Sequence, residues 1–205
     1  RAGAAPAPLG LFDALRAAQT GGRRLAHVIF LHGASSSGKS TIARVLQSRI
    51  EKPFWHISID HLRDAGVLPT ERFKNGDFRW ADSRTAFFDG FHRSLKAYAD
   101  AGNNLILEHI LDTEGWLETL ADLLAGHDVF FAAVHCPLER LIEREAMRGD
   151  RPEGSAKKDF ETIHLGKVYD IELQSEDGAQ TNTDRLLSAW RSGQRSSSFV
   201  DLKSA

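Results

Sequence analysis

Residues Gly33-Ala34-Ser35-Ser36-Ser37-Gly38-Lys39-Ser40, followed by Thr41, satisfy the pattern G-x-x-x-x-G-K-[ST] in full. That spacing suits a polyphosphate. Glycines and small side chains let successive backbone N–H groups curl around phosphate oxygens. A helix opening at the lysine turns its positive end toward them. Lys39 supplies a compact charge for the terminal phosphates, and Ser40 a hydroxyl for Mg²⁺. A serine-glycine turn that happens to precede a lysine would carry the same letters. Here, however, an apolar run (Val28, Ile29, Phe30, Leu31) precedes the loop and a helical pattern follows it, the order the phosphate reading requires.

Such a loop serves kinases, GTPase switches and motors alike. Asp112-Thr113-Glu114-Gly115 reads D-x-x-G, as in GTPases, but no N-K-x-D tetrad follows, and the segment looks like an ordinary helix start. A chain of 205 residues is short for a motor domain. Three features favour transfer to a small hydroxyl. Asp60 closes the second strand in "ISIDHL", where a carboxylate can take the proton of an attacking alcohol. Capping the helix that begins "HLRDAG" is its alternative role. Arg140, Arg144 and Arg148 share one helical face at i, i+4 and i+8, and Arg151 follows in "RGDRPEG", a glycine-flanked loop suited to a lid. Local pairing with Glu143 accounts for Arg140. Arg144 is assigned to the nucleotide, and Arg148 and Arg151 to the transferring phosphoryl group.

The third feature is an aromatic series from Phe54 to Phe91. Phe87, Phe88 and Phe91 read as core at helical spacing, whereas Phe73, Phe78 and Trp80 sit in polar surroundings and suit a partly apolar substrate pocket. Trp55, Phe78, Arg79, Trp80, Glu108 and His109 form the expected substrate wall. Glu108 ends a strand, where a carboxylate holds Mg²⁺ beside Ser40; a plain strand-end charge is the alternative. His109 faces substrate or is a satisfied core histidine. The nine histidines show no H-E-x-x-H or other zinc spacing.

The elements that must position these groups alternate. Residues 27–32, 54–59, 104–110, 129–135 and 168–173 read as strands. Helices are expected over 39–50, 83–102, 112–126 and 137–149. Strand and helix in turn imply an α/β fold with a parallel sheet, ligands lying beyond the carboxyl ends of the strands. Residues 1–25 form an extension with a short amphipathic helix over 9–19, residues 26–192 one domain with a lid near 148–158, and residues 193–205 a loose serine-rich tail.

Bulk properties narrow the partners. A formal charge of -2 gives no electrostatic reason to expect nucleic acid, and no apolar run is long enough for a membrane span. The single cysteine, Cys136, excludes an internal disulfide and fits a reducing, cytoplasmic setting. A homo-oligomer stays open.

The residues resemble a known family. "LHGASSSGKS", "SIDHL", "RGDRPEG" and the run His164-x-Gly166-x-x-Tyr169-Asp170-x-Glu172 are similar, in that order, to segments of the chloramphenicol phosphotransferase-like antibiotic kinases, over roughly residues 27–192. The resemblance implies a three-layer P-loop kinase fold with a five-stranded parallel sheet ordered 2-3-1-4-5. It implies ATP- and Mg²⁺-dependent transfer of the γ-phosphate to an antibiotic hydroxyl, with Asp60 as base and Arg148 and Arg151 as lid arginines. The chain departs from the family at Glu108-His109 and Gln174-Ser175, and in a shorter, aromatic and basic segment (Arg72, Lys74, Arg79, Arg84) after Asp60. Those basic residues suggest a larger or anionic acceptor such as a nucleoside antibiotic. A small-metabolite kinase of the gluconate or adenylylsulfate type, an ATP-binding regulatory module and a toxin-like kinase acting on a nucleotide sugar are the alternatives.

Overall fold

Apolar residues fill both faces of one sheet, and this explains the unbroken apolar runs. In strand β1 (His27–His32), Val28 and Phe30 point to one face and Ile29 and Leu31 to the other. β2 (Phe54–Ser58), β3 (Asn104–His109), β4 (Asp128–His135) and β5 (Ile171–Gln174) pair with it in the order β2-β3-β1-β4-β5, every pair parallel. The computed structural model describes residues 24–148 and 154–202, with Arg148, Ser155, Ala156 and Asp201 described by their backbone alone. The expected helix over 9–19 and the expected lid arginine Arg151 lie outside the described residues, as does the side chain of Arg148.

Helix α1 (Lys39–Arg49) covers the Ile29 face through Ile42, Ala43 and Leu46. The short α2 (Ile59–Asp64) and α3 (Thr70–Lys74) lead into the long α4 (Trp80–Asp100). α4 and α5 (Trp116–Leu123) cover the Val28 face through Phe91, Leu95 and Leu120. α6 (Leu138–Arg148) and α7 (Ser155–Thr162) stand at the carboxyl edge. α8 (Ala179–Arg191) packs beside α1, and α9 (Ser198–Asp201) closes the described chain. Among the described residues no helix is long and apolar enough to cross a membrane.

Several boundaries shift for local reasons. β2 stops at Ser58, whose side chain accepts a hydrogen bond from His61 N–H and starts α2. Asp60 therefore lies in the first turn of a helix, not at the tip of a strand, and the cap is Ser58. α4 begins at Trp80 instead of Ser83, because the Trp80 ring packs against Phe73 and Phe87 and draws the first turn in. α5 begins at Trp116, after Gly115 at φ 81°, a conformation that favours glycine.

β5 begins only at Ile171 because Val168 and Asp170 are engaged with the end of the chain. Val168 and Ser198 exchange hydrogen bonds, and the Asp170 carboxylate accepts from Phe131, Ser196 and Ser197 N–H. The loose tail expected from residue 193 is thus corrected over 193–202. Phe199 is buried against Phe30 and Phe131, worth about 1.5–3 kcal/mol, and Arg195 forks onto Asp128 at 2.8 and 2.9 Å. Serine content suggested a solvated end; one phenylalanine and one arginine decide otherwise.

Candidate active site

The parallel register sets His32, Ser58, Glu108 and His109 along one edge of the sheet, since His32 pairs with His109 and Ser58 with Glu108. β1 lies where the strand order reverses, with β3 on one side and β4 on the other, the crevice such sheets use for ligands. A cleft of about 770 Å³ opens there.

Its donor wall is the loop after β1. Ser36 adopts φ 62° and Gly38 φ 99°, so the backbone coils tightly before α1. Gly33 admits no side chain, because a Cβ would stand 2.4 Å from the Val134 carbonyl oxygen. Lys39 Nζ donates to the carbonyls of Gly33 and Ala34 at 2.9 and 2.6 Å, folding its buried stem back along the loop. Arg144 reaches across from α6 and donates to Ser36 O at 2.9 Å. Ser35, Ser36, Ser37, Gly38, Lys39, Ser40, Thr41 and Arg144 all line the cleft.

Two observations fit this wall to a polyphosphate. Ser35 N–H donates to Asp159 Oδ2 at 3.2 Å, so a backbone donor of the loop already takes an anionic oxygen as partner. Ser35 Oγ and Ser175 Oγ, both on residues lining the cleft, are buried without a hydrogen-bond partner in the structure, an arrangement that costs free energy unless a ligand completes it.

Glu108 joins donor wall to floor. Its Oε2 accepts from Ser40 Oγ at 2.8 Å, and its Oε1 contacts His56 Nε2. Burial pushes its carboxyl pKa up, but the hydrogen bonds from His56 and Ser40 and the charges of His56 and Lys39 outweigh that and hold it below the usual value. A hydroxyl beside a carboxylate is the oxygen donor set that Mg²⁺ prefers. Asp60 lines the same cleft from the first turn of α2, with Arg63 3.1 Å from one of its oxygens.

The other wall of the cleft is aromatic, with Phe88, His109 and Trp116 in its lining. Phe88 and Trp116 pack with ring centroids 4.5 Å apart, and the His109 ring stacks on both. His109 Nε2 meets His92 Nε2 at 2.9 Å. Burial drives the pKa of His92 down to about 4 and that of His109 well below its ordinary value, helped by His92. Both rings are therefore neutral near pH 7, so one donates and the other accepts.

The structure does not bring all expected residues here. Trp55 stands at the amino end of β2, exposed, donating its indole N–H to Asn103. The cleft is at the other end of that strand, so Trp55 is removed from the substrate wall. Phe78 and Arg79 are exposed and outside the cleft lining. Trp80 is one ring removed, packed on Phe87 and Phe88. The basic residues near them are matched by acids: Arg72 with Asp77, Lys74 with Glu71, Arg79 with Asp82, Arg84 with Asp112. They leave little excess positive charge for an anionic acceptor. Phe88 and Trp116 took no place in the expected wall. Phe88 is spaced as core, and Trp116 follows a D-x-x-G that reads as a plain helix start. Asp159 carried no local signal.

The His164-to-Glu172 stretch proves structural. Tyr169 Oη bridges His32 Nδ1 and His164 Nδ1 at 3.0 and 2.8 Å, and Leu111 N–H donates to His32 Nε2. The stretch ties the region after α7 to the end of β1.

Sheet order and phosphate loop together place the molecule among the P-loop kinases, enzymes that transfer phosphoryl groups. The profile of the family described as chloramphenicol phosphotransferase-like protein matches residues 26–191, and the chain belongs to that family. It is 29% identical over 171 residues to a Mycobacterium tuberculosis protein named "Putative O-phosphotransferase Rv2636", covering 72% of this chain and 74% of that one. Among solved structures it is similar to the M. tuberculosis APS kinase CysC in complex with AMPPNP and APS. That match has a TM-score of 0.56 at 18% identity, over 82% of this chain and 99% of the other. The shikimate kinase of Aquifex aeolicus gives a TM-score of 0.55 at 21% identity, over 81% and 97%. At these identities the two likenesses concern the fold.

Proposed function

We propose that the chain is an ATP-dependent O-phosphotransferase that inactivates an antibiotic by phosphorylating an alcohol on it. The observation that carries this reading is one cleft with two unlike sets of lining residues, a phosphate loop and the Phe88–His109–Trp116 stack, with Asp60 in the same lining. The loop residues Ser35 to Thr41 and Arg144 hold the polyphosphate of ATP. Ser40 and Glu108 hold Mg²⁺, which supplies charge neutralisation at the phosphates when bound. The stack offers a flat apolar face, which suits a chloramphenicol-like aryl group or a nucleoside base better than a small polar metabolite.

The chemistry follows from placement. Asp60 accepts the proton of the acceptor hydroxyl as its oxygen forms a bond to the γ-phosphorus. The bond from that phosphorus to the β–γ bridging oxygen breaks, and ADP leaves. Lys39 and Arg144, with Arg148 and Arg151 from the lid, neutralise the charge that spreads over the transferring group. The aromatic wall orients the acceptor, and much of the rate comes from that positioning.

The test is incubation with Mg-ATP and a panel of chloramphenicol-like, nucleoside and other hydroxylated antibiotics, beside gluconate and adenylylsulfate, read by mass spectrometry. A gain of one phosphoryl group on an aromatic antibiotic supports the reading. Phosphorylation confined to the polar metabolites replaces it with a metabolite kinase, and ATP binding with no acceptor turned over replaces it with a regulatory module.

A further inference from the structure

Beside the proposed Mg²⁺ position, and sharing Glu108 with it, one cluster among the described residues brings together donors from three separate elements. His56 on β2, His61 on α2 and Glu108 on β3 each present a ligand atom, and all of these lie within 4.8 Å of one another. The His56 and His61 rings meet edge to face with centroids 4.5 Å apart. Glu108 is buried, His56 half-buried and His61 exposed, so the cluster is closed on the sheet side and open on the α2 side. Sequence spacing hides it. His56 and His61 straddle the boundary between a strand and a helix, and Glu108 is 52 positions beyond His56, so neither histidine belongs to a helical zinc pattern.

The two oxygens of Glu108 face different chemistry. Oε2 meets the hydroxyl of Ser40, an all-oxygen setting for a hard cation. Oε1 meets the His56 imidazole, and the His61 imidazole brings a nitrogen within 4.8 Å of the same carboxylate and of His56. Two histidines and a carboxylate form a donor set for a borderline transition ion, with an open fourth position for water or ligand. An ion pair between His56 and Glu108 explains those two residues alone. It does not account for a third side chain, exposed on a helix, that packs its ring on His56 and brings a nitrogen within 4.8 Å of the other two ligand atoms.

We propose that His56, His61 and Glu108 bind a divalent transition-metal ion of the zinc class, adjoining the Mg²⁺ position at Ser40 and sharing Glu108 with it. Zinc holds nitrogen and oxygen ligands at about 2.0–2.2 Å, which sets neighbouring ligand atoms about 3.4 Å apart. The present ligand atoms lie within 4.8 Å of one another, the same range. The ion would clamp α2, which carries Asp60, onto the sheet.

The experiment uses the untagged full chain, without nucleotide, in excess Mg²⁺, and Co²⁺ as the spectroscopic probe. The expected result is one equivalent bound, with the intense visible absorption of a four-coordinate site. Zn²⁺ should displace it and Mg²⁺ should not. His61→Ala sits on an exposed side chain and should leave the fold intact by circular dichroism while weakening Co²⁺ binding by at least about tenfold. Zn²⁺ should also raise the Tm of the parent chain and not that of His61→Ala. Absence of a stoichiometric Co²⁺ spectrum, or equal affinity in parent and variant, overturns the proposal. Neither outcome depends on finding an acceptor, so the metal site and the phosphotransferase reading fail separately.

Discussion

The two walls of the cleft are built by opposite means. The donor wall is backbone: left-handed residues, carbonyls gripping Lys39, and a glycine that has room for nothing larger. The aromatic wall, the proposed acceptor side, is side chain: Phe88, His109 and Trp116 stacked on one another, with the neutral His92 hydrogen-bonded to His109. Backbone recognition depends on a local pattern of residues and tolerates few changes. Side-chain recognition depends on which rings three distant segments deliver, and it can be exchanged one ring at a time. A fold that keeps the first wall and varies the second can change acceptor without changing its way of holding phosphate.

Substitutions should separate the walls. Asp60→Ala on the rim should lower kcat by about 10² to 10⁴ while leaving nucleotide affinity unchanged, measured by steady-state kinetics and nucleotide titration; unaltered turnover would remove Asp60 as the base. Lys39→Ala should lose about 10² to 10³ in kcat and weaken nucleotide binding as well, because one side chain serves both. Trp116→Ala should raise the acceptor KM about tenfold, the worth of an aromatic contact with its buried area, and spare the KM for ATP. An equal effect on both substrates would show that the walls are not independent.

A pH titration of stability probes the support behind the acceptor wall. His92 has an ordinary pKa of 6.5, depressed to about 4 in the folded chain by burial. The unfolded chain therefore takes up a proton below pH 6.5 that the folded chain refuses until near pH 4. The stability from a neutral His92 is complete above pH 6.5 and falls as pH drops through that window. Urea unfolding across pH 4 to 7 should show a shallower acid loss in His92→Leu than in the parent chain. The smallest effect is expected from Arg79→Ala. This exposed residue pairs with Asp82 outside the cleft, and its loss should change kcat/KM by less than about twofold.

The walls also differed in how far the sequence disclosed them. The phosphate loop, the sheet it follows and the layered α/β architecture are local properties, carried by adjacent residues and by the period of apolar positions, and they were legible. Glu108 beside Ser40 followed from its place at a strand end. The aromatic wall was less legible because exposure and burial of aromatics are set by tertiary packing: of the six residues expected in the substrate wall, Glu108 and His109 line the cleft. Phe78 and Trp80 read as pocket lining in a polar stretch and both pack on Phe73, whereas Phe88 read as core and lines the cleft. Asp60 kept its neighbourhood but changed its element, because the Ser58 cap outweighed the apolar run before it. The end of the chain was misjudged because its composition is polar and its anchoring rests on Phe199 and Arg195.

That anchoring affects how the domain can be cut. The span shared with the family stops at residue 191, which invites trimming there. A chain shortened at that point would lose the phenyl plug and uncover Phe30 and Phe131, leaving an oily notch and the Asp170 carboxylate short of two of its three backbone donors. Such a fragment should express as a sticky, self-associating species even though it keeps every residue that lines the cleft.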